Sequence, residues 1–374
     1  MDIKGNITGI KYKVSLAEML KIVDISGFNI NECPAYCLVR DNNNSFAVSK
    51  WVSPKRTRSY PYERVYNTLN ISKKITVIPI IKDEGFDGDR DFLQWDTISL
   101  MSLLDVFVIF AYYEKAEIYP RFENTCTERS RSKITNQQFD NKYVISKIKE
   151  IEQYHSSALH WNLNEIHNSI KNLFNKAKEC YAEISKQTGV KMHDFRKIDD
   201  LRLKLQMNVT LFMLFSREKA KQAQTREMLT TQPKESLSTL TKARICITNY
   251  LGGEYYFTVD EILIDNDTVY LIESKHSANS ILPSKGDVKD GLLKMILYSN
   301  LCEVEVDGIK MKSKAVLNLT SPKINGKISS ESRVFDRGGF IAENDFKPEM
   351  QVFISELFRE AEGNGFVVKI GNAK

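Results

Sequence analysis

The chain has 374 residues, 42% hydrophobic and 27% charged, with 53 basic and 48 acidic side chains and a formal net charge of +5. That length gives room for two or three compact units, and the composition is that of an ordinary globular protein. No window reaches the roughly 18 uninterrupted apolar residues of a membrane span, and the six scattered cysteines make no disulfide framework. Met1-Asp2-Ile3-Lys4-Gly5-Asn6 lacks a basic stretch leading into an apolar run, so the expectation is a cytoplasmic protein. A mild positive charge permits a polyanionic partner without demanding one, so any nucleic-acid contact has to be argued from local clusters.

Residues 1–135 mix short helical and strand-like runs, including 14–23, the β-rich 75–81 and the long apolar 98–113, and read as an α/β domain. Within it, Cys33 and Cys37 form a CxxxC pair with no further ligands at zinc spacing, so they read as idle or buried thiols. Residues 51–64 carry Lys55, Arg56, Arg58 and Arg64 against one acid, interleaved with Ser, Thr and Tyr. Such a loop can contact phosphates or read guanine edges, which makes the domain the expected DNA-recognition unit. Residues 82–91 pack in Asp83, Glu84, Asp87, Asp89 and Asp91, but without the last glutamate and flanking helices of a calcium loop. A polar loop entering a helix near Thr97 is the expectation there.

From 136 to 232 apolar residues recur at three- and four-residue steps (Val144, Ile148, Ile151; Ile166, Ile170, Leu173), which predicts antiparallel helices. Residues 233–374 alternate helix and strand, as in a mixed sheet flanked by helices. A first helix is expected over 233–247, with Glu235 near its start as a possible additional acid.

The informative stretch is 255–275. Two runs rich in aromatic and β-branched residues flank Asp265-Asn266-Asp267-Thr268. A two-residue turn at Asn266-Asp267 would pair Asp265 with Thr268, and counting outward sets Asp260 opposite Glu273. Residues so opposed share a face with Cβ atoms about 4.5–5.5 Å apart. Two acids at that spacing can both reach one Mg2+, whose oxygen ligands lie at about 2.0–2.1 Å. Lys275 falls on the same face, and Glu261, opposite Ile272, on the other. Acids hold the metal, the Ser274 carbonyl is a plausible third ligand, and an amine beside the metal can orient the attacking water, ease its deprotonation or offset phosphate charge. Downstream, 283–298 reads as a capped helix with acids in its first turn, whose Lys285, Lys289 and Lys294 could lie along the scissile strand.

An aspartate, about a dozen residues, then Glu-x-Lys closing an apolar strand resembles the PD-(D/E)XK nuclease superfamily, which includes most type II restriction endonucleases. Asp260 matches the metal-binding aspartate, Glu273 the acidic ligand and Lys275 the lysine, while Val259 stands where the family often has proline. In one branch the following helix carries Gln and Tyr four residues apart; Lys294 and Tyr298 have that spacing, with lysine replacing glutamine. The resemblance spans roughly residues 233–320. It implies an α/β restriction-endonuclease-like core and Mg2+-dependent, sequence-specific cleavage of double-stranded DNA to 5′-phosphates. It also implies a two-fold dimer if the target is palindromic, and a cognate DNA methyltransferase as a functional rather than physical partner. A repair, recombination or mobile-element nuclease is one rival reading, and a DNA-binding protein with an inactive nuclease-like core is another. No P-loop is present, so the chain is no ATP-driven nuclease by itself.

Overall fold

A computed structural model describes residues 1–42, 44–55, 61–119, 133–196, 198–200, 209–229 and 242–372. The fold is mixed α/β. The chain forms two compact units, Met19–Ser216 and a second made of Met1–Glu18 with Arg217–Lys374. This two-part division replaces the three sequence zones 1–135, 136–232 and 233–374, for two physical reasons.

The first reason lies in the helical stretch. Its helices Asn141–Glu152, Ala158–Asn168 and Ile170–Thr188 form as the periodicity predicts, but they do not make a separate bundle. They pack on strands Val106–Ala111 and Tyr113–Ile118 of the preceding segment. The strand Val106–Ala111 is buried at every position, so it needs cover on both faces. It ends a five-stranded sheet of Ile22–Asp24, Tyr36–Asp41, Asn44–Lys50, Lys74–Pro79 and Val106–Ala111, in that order.

The second reason lies at the N-terminus. Strand Asp2–Ile7 pairs in parallel with Ala243–Asn249, from Asp2↔Arg244 to Ile7↔Asn249. Its alternating burial places Ile3, Gly5 and Ile7 inward, and this face belongs to the core of the C-terminal unit. The strand Ala243–Asn249 also corrects the expected helix over 233–247, at least in its described part. Alternate residues of that strand, Ala243, Ile245, Ile247 and Asn249, are buried, the period of a strand and not of a helix.

The C-terminal unit holds two five-stranded sheets. One runs Glu254–Val259, Ala243–Asn249, Asp2–Ile7, Cys302–Val306, Ile309–Lys310. The other runs Glu261–Asp265, Thr268–His276, Lys312–Thr320, Val367–Gly371, Lys327–Ser329, with the central three strands parallel. Leu271, Val316, Leu317, Leu319, Val368 and Ile370 fill its centre. The helix Lys285–Ser299 lies against the two strands Thr268–His276 and Lys312–Thr320. It starts as the sequence predicts: Ser284 caps it by accepting from the Asp287 N–H at 3.1 Å. Leu292, Leu293, Ile296 and Leu297 are all fully buried, each contributing roughly 1.5–3 kcal/mol of burial. Among the described residues, no helix is long and apolar enough to cross a membrane.

Candidate active site

The hairpin forms in the expected register. Asp265 pairs with Thr268, and the ladder continues outward to Glu261↔Ile272. Of the two turn residues only Asn266 takes a positive φ, 52°, a conformation asparagine tolerates. The refinement comes at Asp260. The run 254–265 is not one strand but two, which belong to different sheets. Val259 makes the last pair with Ala243 in one sheet, and Glu261 makes the pair with Ile272 in the other. Asp260 sits at the break and belongs to neither ladder, so it is not cross-strand paired with Glu273.

The break has a chemical use. Past Ile272 the strand Thr268–His276 has no hairpin partner, and its Ser274 N–H would be left open on that side. Asp260 Oδ2 accepts this N–H at 2.9 Å. The contact fixes the aspartate carboxylate beside the strand that carries Glu273 and Lys275. Ser274, expected to offer its carbonyl, therefore serves the site first through its amide.

Glu273 is 1% exposed and carries the densest set of charges. Lys275 Nζ lies 2.9 Å from its Oε1, and Lys294 Nζ lies 2.8 Å from both Oε1 and Oε2. Lys275 also faces Asp290 Oδ2 at 3.8 Å. The two lysine side chains keep 17% and 16% exposure and Asp290 21%, so the cluster opens to solvent on their side. Asp290 and Lys294 stand four residues apart on the helix Lys285–Ser299 and so share a face. Between them Gly291 lets the helix sit close: a β-carbon there would lie 2.8 Å from Leu317 Cδ1 and 3.4 Å from Lys275 Cε.

The electrostatics follow from this geometry. Burial pushes the Glu273 carboxyl up, but Lys275 and Lys294 outweigh it and hold the group at about 2. Asp260 goes the other way, raised to about 7 by burial and then by the charge of Glu273. Burial likewise raises Asp290. Three carboxylates therefore face two ammoniums, and the cluster is short of positive charge unless protons or another cation supply it. Among the described residues no group of three or more His, Cys, Asp or Glu side chains is arranged to hold a metal ion. A divalent ion would instead find a two-acid site, Asp260 with Glu273. The raised Asp260 marks the place where extra positive charge is favourable.

The other expected site residues that are described have partners or surroundings of their own. Lys289 is 1% exposed, its Nζ held 2.7 Å from Glu18, so it cannot lie along a nucleic-acid strand. Lys285 is exposed, its ammonium 5.8 Å from the Phe353 ring centroid. Arg64 turns inward and donates to the Lys50 carbonyl, while Lys55 is exposed. Arg56, Arg58 and Tyr60 of that loop, and Glu235, lie outside the described residues. The acidic 82–91 segment is a small hairpin, Ile81–Asp83 with Arg90–Phe92, and its Asp91 accepts from Ser53 at 2.8 Å. Reasoning from the hairpin alone missed Asp290 and the grip of Lys294 on Glu273. The signal was available as acid and lysine at a four-residue step around a glycine.

Comparison of the chain with protein-family models, with curated proteins and with solved structures finds no match in any of the three.

Proposed function

We propose that the chain is a sequence-specific double-stranded DNA endonuclease of the type II restriction kind, with a PD-(D/E)XK-like core in its C-terminal unit. The observation that carries this reading is the meeting of Asp260, Glu273 and Lys275 at the end of one hairpin, with an ionised buried glutamate and an aspartate short of a counter-charge. Asp260 and Glu273 would hold Mg2+, which when bound supplies Lewis-acid activation and offsets charge building on the phosphate. Lys275, 2.9 Å from Glu273, would orient the attacking water and neutralise the phosphate. The water gives up a proton as its oxygen bonds to phosphorus, the P–O3′ bond breaks and O3′ takes up a proton from solvent, so the products are a 5′-phosphate and a 3′-hydroxyl. On this reading the enzyme works in the cytoplasm beside a methyltransferase that protects host sites, and acts as a two-fold dimer if its target is palindromic.

The test is incubation of purified protein with unmethylated DNA and Mg2+, followed by sequencing of the ends. Discrete 5′-phosphate ends at one recurring sequence, lost in Asp260→Asn, are expected. Structure-dependent nicks would move the assignment to a repair or mobile-element nuclease. A silent, DNA-binding core is the second reading, favoured by the neutralisation of Glu273 by two lysines and by the lack, among the described residues, of three or more His, Cys, Asp or Glu side chains arranged to hold a metal ion. DNA binding unaffected by Mg2+, with no cleavage at high enzyme concentration, would decide for it.

A further inference from the structure

Lys294 sits across the whole Glu273 carboxylate. Its ammonium spans both oxygens of Glu273 at 2.8 Å, whereas Lys275 touches only Oε1. Oε1 thus faces two ammoniums and Oε2 faces one, so Glu273 has no oxygen clear of a cation. Three of the roughly four lone-pair sites of the carboxylate are thus taken, and a divalent ion using Glu273 meets the Lys294 charge at whichever oxygen it approaches. Lys275 is the less free to leave, because it comes from the same strand as Glu273 and also faces Asp290. Lys294 reaches in from the helix on a flexible four-carbon stem, and its side chain is 16% exposed, so an outward swing does not require the helix to move.

We infer that Lys294 is a tethered counter-ion that competes with divalent metal for Glu273 and holds the site in a metal-poor form in which Glu273 is already paired. The inference rests on the metal-site reading above and adds to it a control that a glutamine could not exert. A neutral amide at 294 would leave Glu273 one cation short. The ammonium instead keeps the glutamate ionised and oriented before any metal arrives, at the expense of metal affinity. Lys294 is a positioning residue in this scheme, acting through Glu273.

The experiment is calorimetric titration of the whole chain with Mn2+, comparing wild type, Lys294→Gln, Lys294→Met and Lys294→Arg, with thermal melts to establish folding. Removing one positive charge a few ångströms from the ion should tighten Mn2+ binding by about tenfold or more in Lys294→Gln or Lys294→Met, whichever melts cooperatively. Lys294→Arg, which keeps the charge, should stay close to wild type. General damage to the site would weaken binding, so a gain separates competition from a structural role. Adding Asp260→Asn to Lys294→Gln should remove the gain; if the gain persists, the ion binds elsewhere and the inference is overturned. Equal Mn2+ affinity in wild type and Lys294→Gln overturns it as well, while leaving the metal-site reading intact. No Mn2+ binding by any variant removes the metal-site reading itself, and the inference with it.

Discussion

Each unit of the chain buries carboxylates, among them Asp83 at 0% exposure in Met19–Ser216 and Glu273 at 1% in the other. Burying an acid is expensive unless it is paired, and both are paired, but by different kinds of partner. Asp83 Oδ1 accepts the Gly85 N–H at 2.9 Å and lies 2.8 Å from His193 Nδ1. Its other oxygen faces Arg90 at 4.0 Å. The backbone amide cannot swing away, and the imidazole has only a short stem. Around Glu273 the partners are two lysine ammoniums on long flexible stems, each partly open to solvent. Fixed partners make a buried acid a structural pin. Displaceable partners leave a buried acid available as a ligand, and at the hairpin this goes with a second buried acid, Asp260, which is what the proposed reading builds on.

The sharpest way to break the contrast is through chemistry. Asp260→Asn removes one acid of the pair while keeping size and the capacity to accept the Ser274 N–H. DNA cleavage should fall by roughly 10²–10³-fold, the loss typical of removing one preorganised charge-stabilising group. Asp83→Asn should leave cleavage per folded molecule unchanged. Single-turnover cutting assays on both variants check this, and equal losses would abolish the distinction.

Stability should reverse the order. Asp83→Ala removes the acceptor for Gly85 and the partner of His193 and Arg90, and should destabilise by about 3–5 kcal/mol, as for breaking a buried ion pair. Urea denaturation measures it. A loss below about 1 kcal/mol would mean that the surroundings of Asp83 rearrange as readily as lysines do.

Acid and base should also act in opposite senses at the hairpin. Asp260 is raised from 3.8 to about 7 on folding, so metal-free protein gains stability from its proton at low pH and loses it as pH rises from about 4 through 7. Glu273 is lowered from 4.5 to about 2, so its contribution is present at neutral pH and disappears as pH falls through that window. In EDTA, the stability of Asp260→Asn relative to wild type should therefore climb between pH 4 and pH 7.5. Parallel melting-temperature curves for the two proteins would show that Asp260 bears no such strain.

Much of this was legible in the sequence because hairpins are local. The Asn266-Asp267 turn and the alternation around it are enough to set the register from Asp265↔Thr268 to Glu261↔Ile272. The helix after the hairpin was equally legible, through Ser284 and the acids of its first turn. What stayed hidden depends on distant partners. Nothing local says that Asp2–Ile7 pairs with Ala243–Asn249, more than two hundred residues away, or that the helical stretch packs on Val106–Ala111. The break at Asp260 was hidden for the same reason, since 254–259 and 261–265 read alike and only their sheet partners differ. Lys289 looked like one more solvent-facing lysine because its partner Glu18 is remote in sequence.

The finest test touches the glycine that brings the helix down onto the cluster. Gly291→Ala should gain about 0.8–1 kcal/mol of helix propensity. Against that, the new methyl carbon would stand 2.8 Å from Leu317 Cδ1, so the leucine or the helix has to shift. The two terms oppose each other, and the net change in stability should be within about 1 kcal/mol. Geometry has no such cancellation. The same methyl lies 3.4 Å from Lys275 Cε and 3.8 Å from Glu273 Cγ, so any retreat of the helix loosens the hold of Lys294 and Asp290 on the hairpin lysine and glutamate. Cleavage should drop several-fold, on the scale that a misplacement of a fraction of an ångström produces, while the melting temperature scarcely moves. If activity follows stability instead, the helix acts on the site only by holding the fold together, and the cluster is closer in kind to Asp83 than its displaceable lysines imply.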